Sequence, residues 1–171
     1  MESNSEKVTT TSKESFLMII DLLNELNIRY WIEGGWGIDA LIGRQTRLHR
    51  DIDLDFDAAV EELLLEKLTG LGYQFTLDQR PTRAELCHPK HGYIDIHPFI
   101  INDSGTIRQA NPEGGWFELE AKWFSQSLFE DRVIPCVSVE GQKIFHSGYE
   151  LRAVDQADLK NLNAAFPQEI E

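Results

Sequence analysis

Residues 50–57 constrain the fold more than any other segment, because apolar and acidic side chains alternate there without interruption. Successive side chains of a β-strand point to opposite faces, so this segment would have one apolar face and one acidic face. The apolar face comprises Ile52, Leu54 and Phe56, and the acidic face comprises Asp51, Asp53 and Asp55. We therefore predict a strand that one face anchors in a core while the other holds three acids on a rigid element.

The rest of the chain predicts an α+β fold in which a mixed β-sheet is flanked by helices. Thr11 and Glu14 form a capping-box pattern ahead of apolar residues at helical spacing, so Thr11 is the expected N-cap of the first helix. Asp57 and Asp155 are expected to cap two later helices. The predicted helices are 12–27, 36–41, 58–71, 142–149 and a last one from 155, and the predicted strands are 29–33, 50–57, 73–77, 85–88, 93–101 and 133–139. The pattern of residues 107–129 predicts no regular element.

Length and composition indicate one globular domain. In a chain of 171 residues we expect a flexible polar tail at residues 1–12, followed by one domain at residues 13–171 with a C-terminal helical part. Apolar runs are short and the N-terminus lacks an apolar stretch, so we expect no membrane association and a cytoplasmic protein. Cys87 and Cys136 are expected to be reduced and mostly buried.

The formal net charge of −13 narrows the possible ligands. Nucleic-acid binders contact phosphates with clustered Lys and Arg, so we expect no nucleic-acid partner. An acidic chain suits a cationic small molecule or a metal-loaded site, although acidity also keeps a protein soluble without any further role.

Asp51 and Asp53 are the strongest candidates for metal ligands. Residues two apart on a strand lie on the same face, about 6.6 Å apart along the chain, so their carboxylates can converge on one divalent ion or bridge two. Hard oxygen ligands suit Mg²⁺, which usually takes its remaining ligands from water and substrate phosphates. A metal would also relieve the repulsion among acids on this face.

Two further features would complete such a site. Gly34 and Gly35 lie between a predicted strand and a short helix, where glycines let the backbone approach phosphate groups; an ordinary turn is the alternative. Asp95 lies on a later alternating strand and would join the acidic face if that strand pairs beside residues 50–57. It would then be a third metal ligand or a general base for an attacking hydroxyl, whereas a solvent-facing position is the alternative.

These residues resemble the pattern of the DNA polymerase β-like nucleotidyltransferases: a Gly-Gly or Gly-Ser pair, then an Asp-x-Asp strand, then a third acid on another strand. Residues 36–50, between the glycines and the first acid, form a gap somewhat longer than in the commonest form of the motif. The segments at residues 30–39 (YWIEGGWGID) and 49–53 (HRDID) resemble small-molecule antibiotic nucleotidyltransferases. Four later segments resemble the lincosamide group within them: GYIDIHP at 92–98, QANPEGG at 109–115, IPC at 134–136 and FHSGY at 145–149.

The resemblance implies an enzyme that moves AMP from ATP onto a sugar hydroxyl of lincomycin or clindamycin with Mg²⁺ as cofactor. Asp51, Asp53 and Asp95 would hold the metal and act in catalysis. The enzyme would bind a nucleoside triphosphate and a small-molecule antibiotic. By analogy, a homodimer that completes the site is expected.

The resemblance also implies a place for the triphosphate. Gly34 and Gly35 would hold it through their backbone. Arg47 or Arg50, in the basic connector after the short helix, would contact phosphate; a solvated connector is the alternative.

Several other side chains are weaker candidates for the antibiotic or the site. The candidates for aromatic walls around the apolar part of the drug are Trp36, Tyr93 and Trp116. The candidates for a carboxylate that pairs with its amine are Glu85 and Glu113. His97 shares a face with Asp95, and a packed histidine near the site is expected. Asp55 is expected either behind the metal ligands or in solvent.

Three other functions stay open on the sequence. The chain could transfer nucleotide to an aminoglycoside or another hydroxylated small molecule. It could be a catalytically silent binding module of the same fold, although three intact acids argue against that. It could also be a metal-dependent hydrolase that releases free AMP.

Overall fold

The structure is a computed structural model that describes residues 10–167. Residues 1–9 of the predicted tail and residues 168–171 lie outside this range. The described residues form five α-helices, namely α1 (Lys13–Glu25), α2 (Gly34–Ile42), α3 (Glu61–Leu71), α4 (Val139–Phe145) and α5 (Ala153–Ala165). They also form nine strands, namely β1 (Tyr30–Glu33), β2 (Asp51–Asp57), β3 (Gln74–Gln79), β4 (Arg83–His88), β5 (Gly92–Ile101), β6 (Ile107–Ala110), β7 (Trp116–Leu119), β8 (Phe124–Phe129) and β9 (Arg132–Val137). No helix within residues 10–167 has the length and apolar character needed to cross a membrane.

The strands form one mixed sheet whose central strands carry the acidic residues. The order is β3-β4-β5-β2-β1-β9-β8, and the β6–β7 hairpin extends from β5. Strand β2 runs antiparallel to β1 and parallel to β5. This parallel pair places Asp53 opposite Asp95, so the predicted pairing of the two acidic strands is confirmed.

The core contains the apolar face of β2 as predicted. Ile52, Leu54 and Phe56 are fully buried. Trp36 of α2 is also fully buried and stacks on Phe16 of α1 with ring centres 4.3 Å apart. Trp36 was predicted as a possible wall of a drug site, and that prediction was wrong, because α2 turns the ring into the space between the helices and the sheet.

Helix α1 begins one residue later than predicted. Ser12 is its N-cap, and its hydroxyl accepts a hydrogen bond from the Ser15 amide at 3.1 Å. The predicted cap, Thr11, instead forms a β-bridge to His49, and its hydroxyl donates to the carbonyl oxygen of Arg50 at 3.0 Å. Thr11 therefore connects the segment before α1 to the segment before β2.

The C-terminal helices also differ from the predicted ones. The predicted helix at 142–149 lies at Val139–Phe145, because Ser138 caps it by accepting a hydrogen bond from the Gly141 amide at 3.1 Å. Helix α5 begins at Ala153, ahead of its predicted cap. Asp155 is therefore not the N-cap; it lies in the first turn and accepts a hydrogen bond from the Arg152 amide at 3.0 Å.

Candidate active site

Four carboxylates from four neighbouring strands lie in one row on the same face of the sheet. The register places Glu33 of β1 opposite Asp53 of β2, and Asp53 opposite Asp95 of β5. Asp95 in turn lies opposite Glu85 of β4. Neighbouring strands are about 4.8 Å apart, and residues opposite each other share a face, so the row concentrates negative charge at the centre of the sheet.

Asp51, Asp53 and Asp95 offer a donor set that fits a hard divalent cation such as Mg²⁺. Ligand atoms of Asp51, Glu85 and Asp95 lie within 4.8 Å of one another, and so do those of Asp53, Asp95 and His97, so Asp95 is shared by both groups. Oδ1 of Asp95 is buried, and no donor within residues 10–167 bonds to it. Burial, together with the charge of Asp53, raises the pKa of Asp51 to about 7. A buried unpartnered oxygen and mutually repelling carboxylates both cost free energy, which a cation among them would offset.

Two basic side chains border the acids, and Arg83 was not predicted from the sequence. Nη1 of Arg83 donates to Oδ2 of Asp95 at 2.5 Å. Nε2 of His97 lies 3.6 Å from Oδ1 of Asp95 and 3.8 Å from Oδ1 of Asp53, which confirms a packed histidine near the site. Burial lowers the pKa of His97, but the neighbouring carboxylates of Asp53, Glu33 and Asp95 outweigh burial and raise it to about 9.

Asp55 lies one step beyond the metal-ligand pair on β2. It is fully buried, so the alternative of a solvent-facing position was wrong. Burial, followed by the negative charge of Glu33, raises the pKa of Asp55 well above its usual value. These conditions favour the protonated carboxyl, and Asp55 lies enclosed behind the metal ligands.

The Gly34–Gly35 turn packs directly against the acids and the connector. Gly34 has a φ of 64°, and a Cβ on it would collide with the carboxylate of Asp53. A Cβ on Gly35 would lie 2.5 Å from Nδ1 of His49 and 2.6 Å from Nη2 of Arg47. The glycines are the first residues of α2, so the start predicted for this helix was two residues late. Only glycine fits this close approach, and it leaves the backbone amides at the helix start next to the acids.

A buried carboxylate fixes the connector between α2 and β2. Asp39 of α2 accepts hydrogen bonds from the amide and hydroxyl of Thr46 at 2.9 and 2.5 Å. It also accepts one from Nε2 of His49 at 2.5 Å. The connector is therefore held against α2, which fixes the position of its arginines beside the glycine turn.

Both predicted arginines lie at the site, and each is paired with a carboxylate. Nε and Nη2 of Arg47 donate to the two carboxylate oxygens of Asp158 at 2.6 and 2.7 Å. The guanidinium carbon of Arg50 lies 3.9 Å from the ring centre of Tyr93, and its Nη1 donates to Glu85 at 3.0 Å. The alternative of a merely solvated connector does not describe Arg47, which is partly buried against α5.

A cleft of about 640 Å³ lies over the acidic face. Besides the glycine turn and the acids, it is lined by residues of α4, α5 and the link between them, namely Phe145, His146, Tyr149, Arg152, Val154, Asp155 and Asp158. Glu85 lines the cleft and Glu113 does not. Tyr93 and Trp116, predicted as candidate drug walls, do not line it either; Tyr93 packs under Arg50, and Trp116 is half-exposed on β7.

Sequence reasoning missed several residues of this cleft. Arg83 and Asp158 come from segments with no chemical motif, and only the folded chain brings them to Asp95 and Arg47. The position of Glu33 immediately before the glycine pair is the one signal that indicated a place near the site. The separation of 111 residues between Arg47 and Asp158 left no comparable signal.

Comparison with known proteins agrees with this geometry. The family model described as aminoglycoside-2''-adenylyltransferase matches residues 15–162. A lincosamide resistance protein of Staphylococcus haemolyticus is 49% identical over 154 residues, which are 90% of this chain and 95% of that protein.

Solved structures give the same result. The crystal structure of the lincosamide antibiotic adenylyltransferase LnuA with lincomycin bound matches with a TM-score of 0.88 and 46% identity, over 91% of this chain and 99% of that one. The structure of ANT(2'')-Ia with adenylyl-2''-tobramycin has a TM-score of 0.67 and 19% identity over 90% of both chains, which supports the fold alone. The chain is therefore a nucleotidyltransferase and belongs to the family of antibiotic nucleotidyltransferases that includes the aminoglycoside 2''-adenylyltransferases and LnuA.

Proposed function

We propose that this enzyme transfers AMP from MgATP to a sugar hydroxyl of a lincosamide, lincomycin or clindamycin, and releases pyrophosphate. The observation that carries the proposal is the juxtaposition of Asp51, Asp53 and Asp95, from two paired strands, with the Gly34–Gly35 turn. Identity of 46% to the lincomycin-bound adenylyltransferase over nearly the whole of that chain supports the choice of acceptor.

The proposed reaction is an in-line displacement at the α-phosphorus of ATP. The acceptor hydroxyl oxygen forms a bond to the α-phosphorus, and the bond from that phosphorus to the bridging oxygen of pyrophosphate breaks. The hydroxyl proton passes to Asp95, whose Oδ1 is buried and accepts no hydrogen bond within residues 10–167. Arg83 keeps the orientation of Asp95 fixed through Oδ2 and leaves Oδ1 available.

Asp51, Asp53 and Asp95 are the residues proposed to hold Mg²⁺. When bound, Mg²⁺ would neutralise phosphate charge, lower the pKa of the acceptor hydroxyl and stabilise the leaving pyrophosphate. The apolar face of β2 is packed in the core, so the strand holds Asp51 and Asp53 in fixed positions.

The triphosphate is proposed to lie along the start of α2. Backbone amides after Gly34 and Gly35 would donate to phosphate oxygens, and the N-terminus of α2 favours negative charge. Arg47, beside Gly35, would contribute donors from the connector. Arg50 immediately precedes β2, donates to Asp51 and stacks on Tyr93, and from this position it would contact a phosphate of the nucleotide.

The antibiotic is proposed to enter beside Asp95 and Glu85. A lincosamide carries a protonatable amine, and the acidic lining of the cleft favours a cation. Phe145 and Tyr149, which line the cleft, offer apolar surface for the rest of the molecule. The use of ATP as donor implies a cytoplasmic location, which stays a prediction. A homodimer that covers the open side of the cleft is also a prediction, and light scattering of the protein in solution tests it.

A pyrophosphate-release assay tests the acceptor. Wild-type enzyme with ATP and Mg²⁺ is expected to release pyrophosphate with clindamycin and not with kanamycin. Release with kanamycin alone would reassign the enzyme to aminoglycosides. Absence of release with both acceptors, together with no Mg²⁺-dependent ATP binding in calorimetry, would indicate a silent binding module.

A further inference from the structure

Two buried aspartates of helix α5 each hold an arginine at the cleft. Asp155 and Asp158 lie three residues apart, which places them on one face of the helix. Both aspartates are almost completely buried, and both line the cleft together with their partners Arg152 and Arg47. Burying a carboxylate without a cationic partner costs free energy. Each aspartate therefore favours the conformation in which its arginine stays paired with it.

The Arg47 pair joins α5 to the glycine turn. A guanidinium group has five N–H donors. Arg47 uses one on Nε and one on Nη2 for Asp158, and one on Nη1 for the carbonyl oxygen of Leu48 at 2.7 Å. A Cβ on Gly35 would lie 2.6 Å from Nη2, so the guanidinium packs against the turn where the triphosphate is proposed to bind. The planar group is therefore held in one orientation, with donors left over at the turn.

The Arg152 pair repeats this arrangement at the start of the helix. Nε and Nη2 of Arg152 both donate to Asp155 at 3.1 Å. About three-quarters of the Arg152 side chain is exposed, in contrast to Asp155. The guanidinium thus remains accessible from the cleft, while its carboxylate partner is anchored in the helix.

We propose that Arg47 and Arg152 form a phosphate-binding wall of the nucleotide site that binds the β- and γ-phosphates of ATP, and that Asp158 and Asp155 of α5 act as their positioning residues. This inference rests on the proposed function, because it requires MgATP in the cleft. Arginine suits this use, since its planar fork binds phosphate oxygens in pairs and loses less freedom when it is already oriented.

Calorimetric titrations of the full chain with MgATP and with AMP test the proposal. Asp158→Asn keeps the shape of the side chain but removes the charge and one acceptor for Arg47. It is expected to weaken MgATP binding about tenfold, the scale of one charge-assisted hydrogen bond. AMP lacks the β- and γ-phosphates, so its affinity is expected to change by less than about twofold. Arg152→Gln is expected to weaken MgATP selectively by about threefold.

Asp21→Asn is the matched control. Asp21 accepts the same two-point hydrogen bond from Arg132, at 3.0 and 3.1 Å, and this pair does not line the cleft. The control is expected to leave both affinities unchanged. Steady-state kinetics with clindamycin should show the Asp158→Asn effect in the KM for ATP, with kcat changed by less than about threefold.

The possible outcomes separate this inference from the proposed function. If wild-type protein does not bind MgATP, the proposed function fails. If wild-type protein binds MgATP and Asp158→Asn leaves that affinity unchanged or tightens it, only the inference is overturned. Equal losses for MgATP and AMP would also overturn it, because they would assign Asp158 a structural role alone.

Discussion

At the scale of single residues, the site depends on the close approach of the Asp53 carboxylate to the backbone of Gly34. Gly34 adopts a left-handed φ, and the carboxylate of Asp53 occupies the space that a Cβ would need. The same approach brings backbone amides next to the acids, which is where a triphosphate and its cation would meet. The turn and the metal ligands are therefore one unit and cannot be altered independently.

Gly34→Ala is expected to lower kcat by about 100-fold, because even a displacement of about 1 Å of Asp53 or the turn misaligns the reacting groups. Gly70→Ala is the matched control, since no atom lies within 4 Å of a Cβ there. In α3 it should leave kcat unchanged and raise the free energy of unfolding by up to about 1 kcal/mol. Steady-state kinetics and urea denaturation provide the measurements. An active Gly34→Ala enzyme would show that the turn is not coupled to Asp53.

The acids could be predicted from the sequence, whereas their basic neighbours could not. Asp51, Asp53 and Asp95 alternate with apolar residues, and that period fixes the face on which each lies. The same period does not reveal burial, so it left the position of Asp55 open. Arg83 lies on the acidic face only because β4 pairs with β5 in a register that the sequence of β4 does not specify.

At the scale of secondary-structure elements, local signals predicted most helices and strands and failed where tertiary contacts compete. Thr11 and Ser12 are both good N-caps, and the bridge from Thr11 to His49 decides between them. Strands β6, β7 and β8 were not predicted, because their sequences are short and do not alternate clearly. They form through pairing with β5, with one another and with β9, which is a property of the sheet.

Ser12→Ala is expected to lower the free energy of unfolding by about 1 kcal/mol, because the Ser15 amide loses its acceptor. Ser12→Asp keeps an acceptor and adds a favourable charge at the helix start, so it should restore stability. Neither change should alter kcat, since Ser12 does not line the cleft. Chemical denaturation of the three proteins checks this, and equal stability of Ser12→Ala and wild type would contradict the assignment of the cap.

At the scale of the whole molecule, the cleft requires both ends of the described chain. The acids and the glycine turn come from residues 33–95, and the facing residues come from α4, α5 and the link between them. The acids repel one another without a cation, so we expect the stability of the protein to depend jointly on pH and on Mg²⁺.

The sign of this dependence follows from Asp51. Burial and Asp53 raise its pKa in the folded protein to about 7, far above its usual value, so the folded state holds a proton that the unfolded state releases. The resulting stability is present at low pH and is lost as pH rises through about 7. Mg²⁺ binds the deprotonated acids, so it should raise Tm by a few degrees at about pH 8 and by much less at about pH 5.

Differential scanning fluorimetry with Mg²⁺ or with a chelator checks this prediction. Asp53→Asn serves as the control and should show a much smaller Mg²⁺ effect at either pH, because it removes one ligand. An equal rise in Tm for wild type and Asp53→Asn would mean that Mg²⁺ acts elsewhere on this acidic protein.

Mass spectrometry of clindamycin after incubation with enzyme, ATP and Mg²⁺ shows whether the drug itself receives the adenylyl group. We expect a product heavier by one adenylyl group with the wild-type enzyme and none with Asp53→Asn. Unmodified clindamycin beside free AMP would mean that water is the acceptor, and an adduct formed equally well by Asp53→Asn would mean that the acids of β2 and β5 do not carry the chemistry.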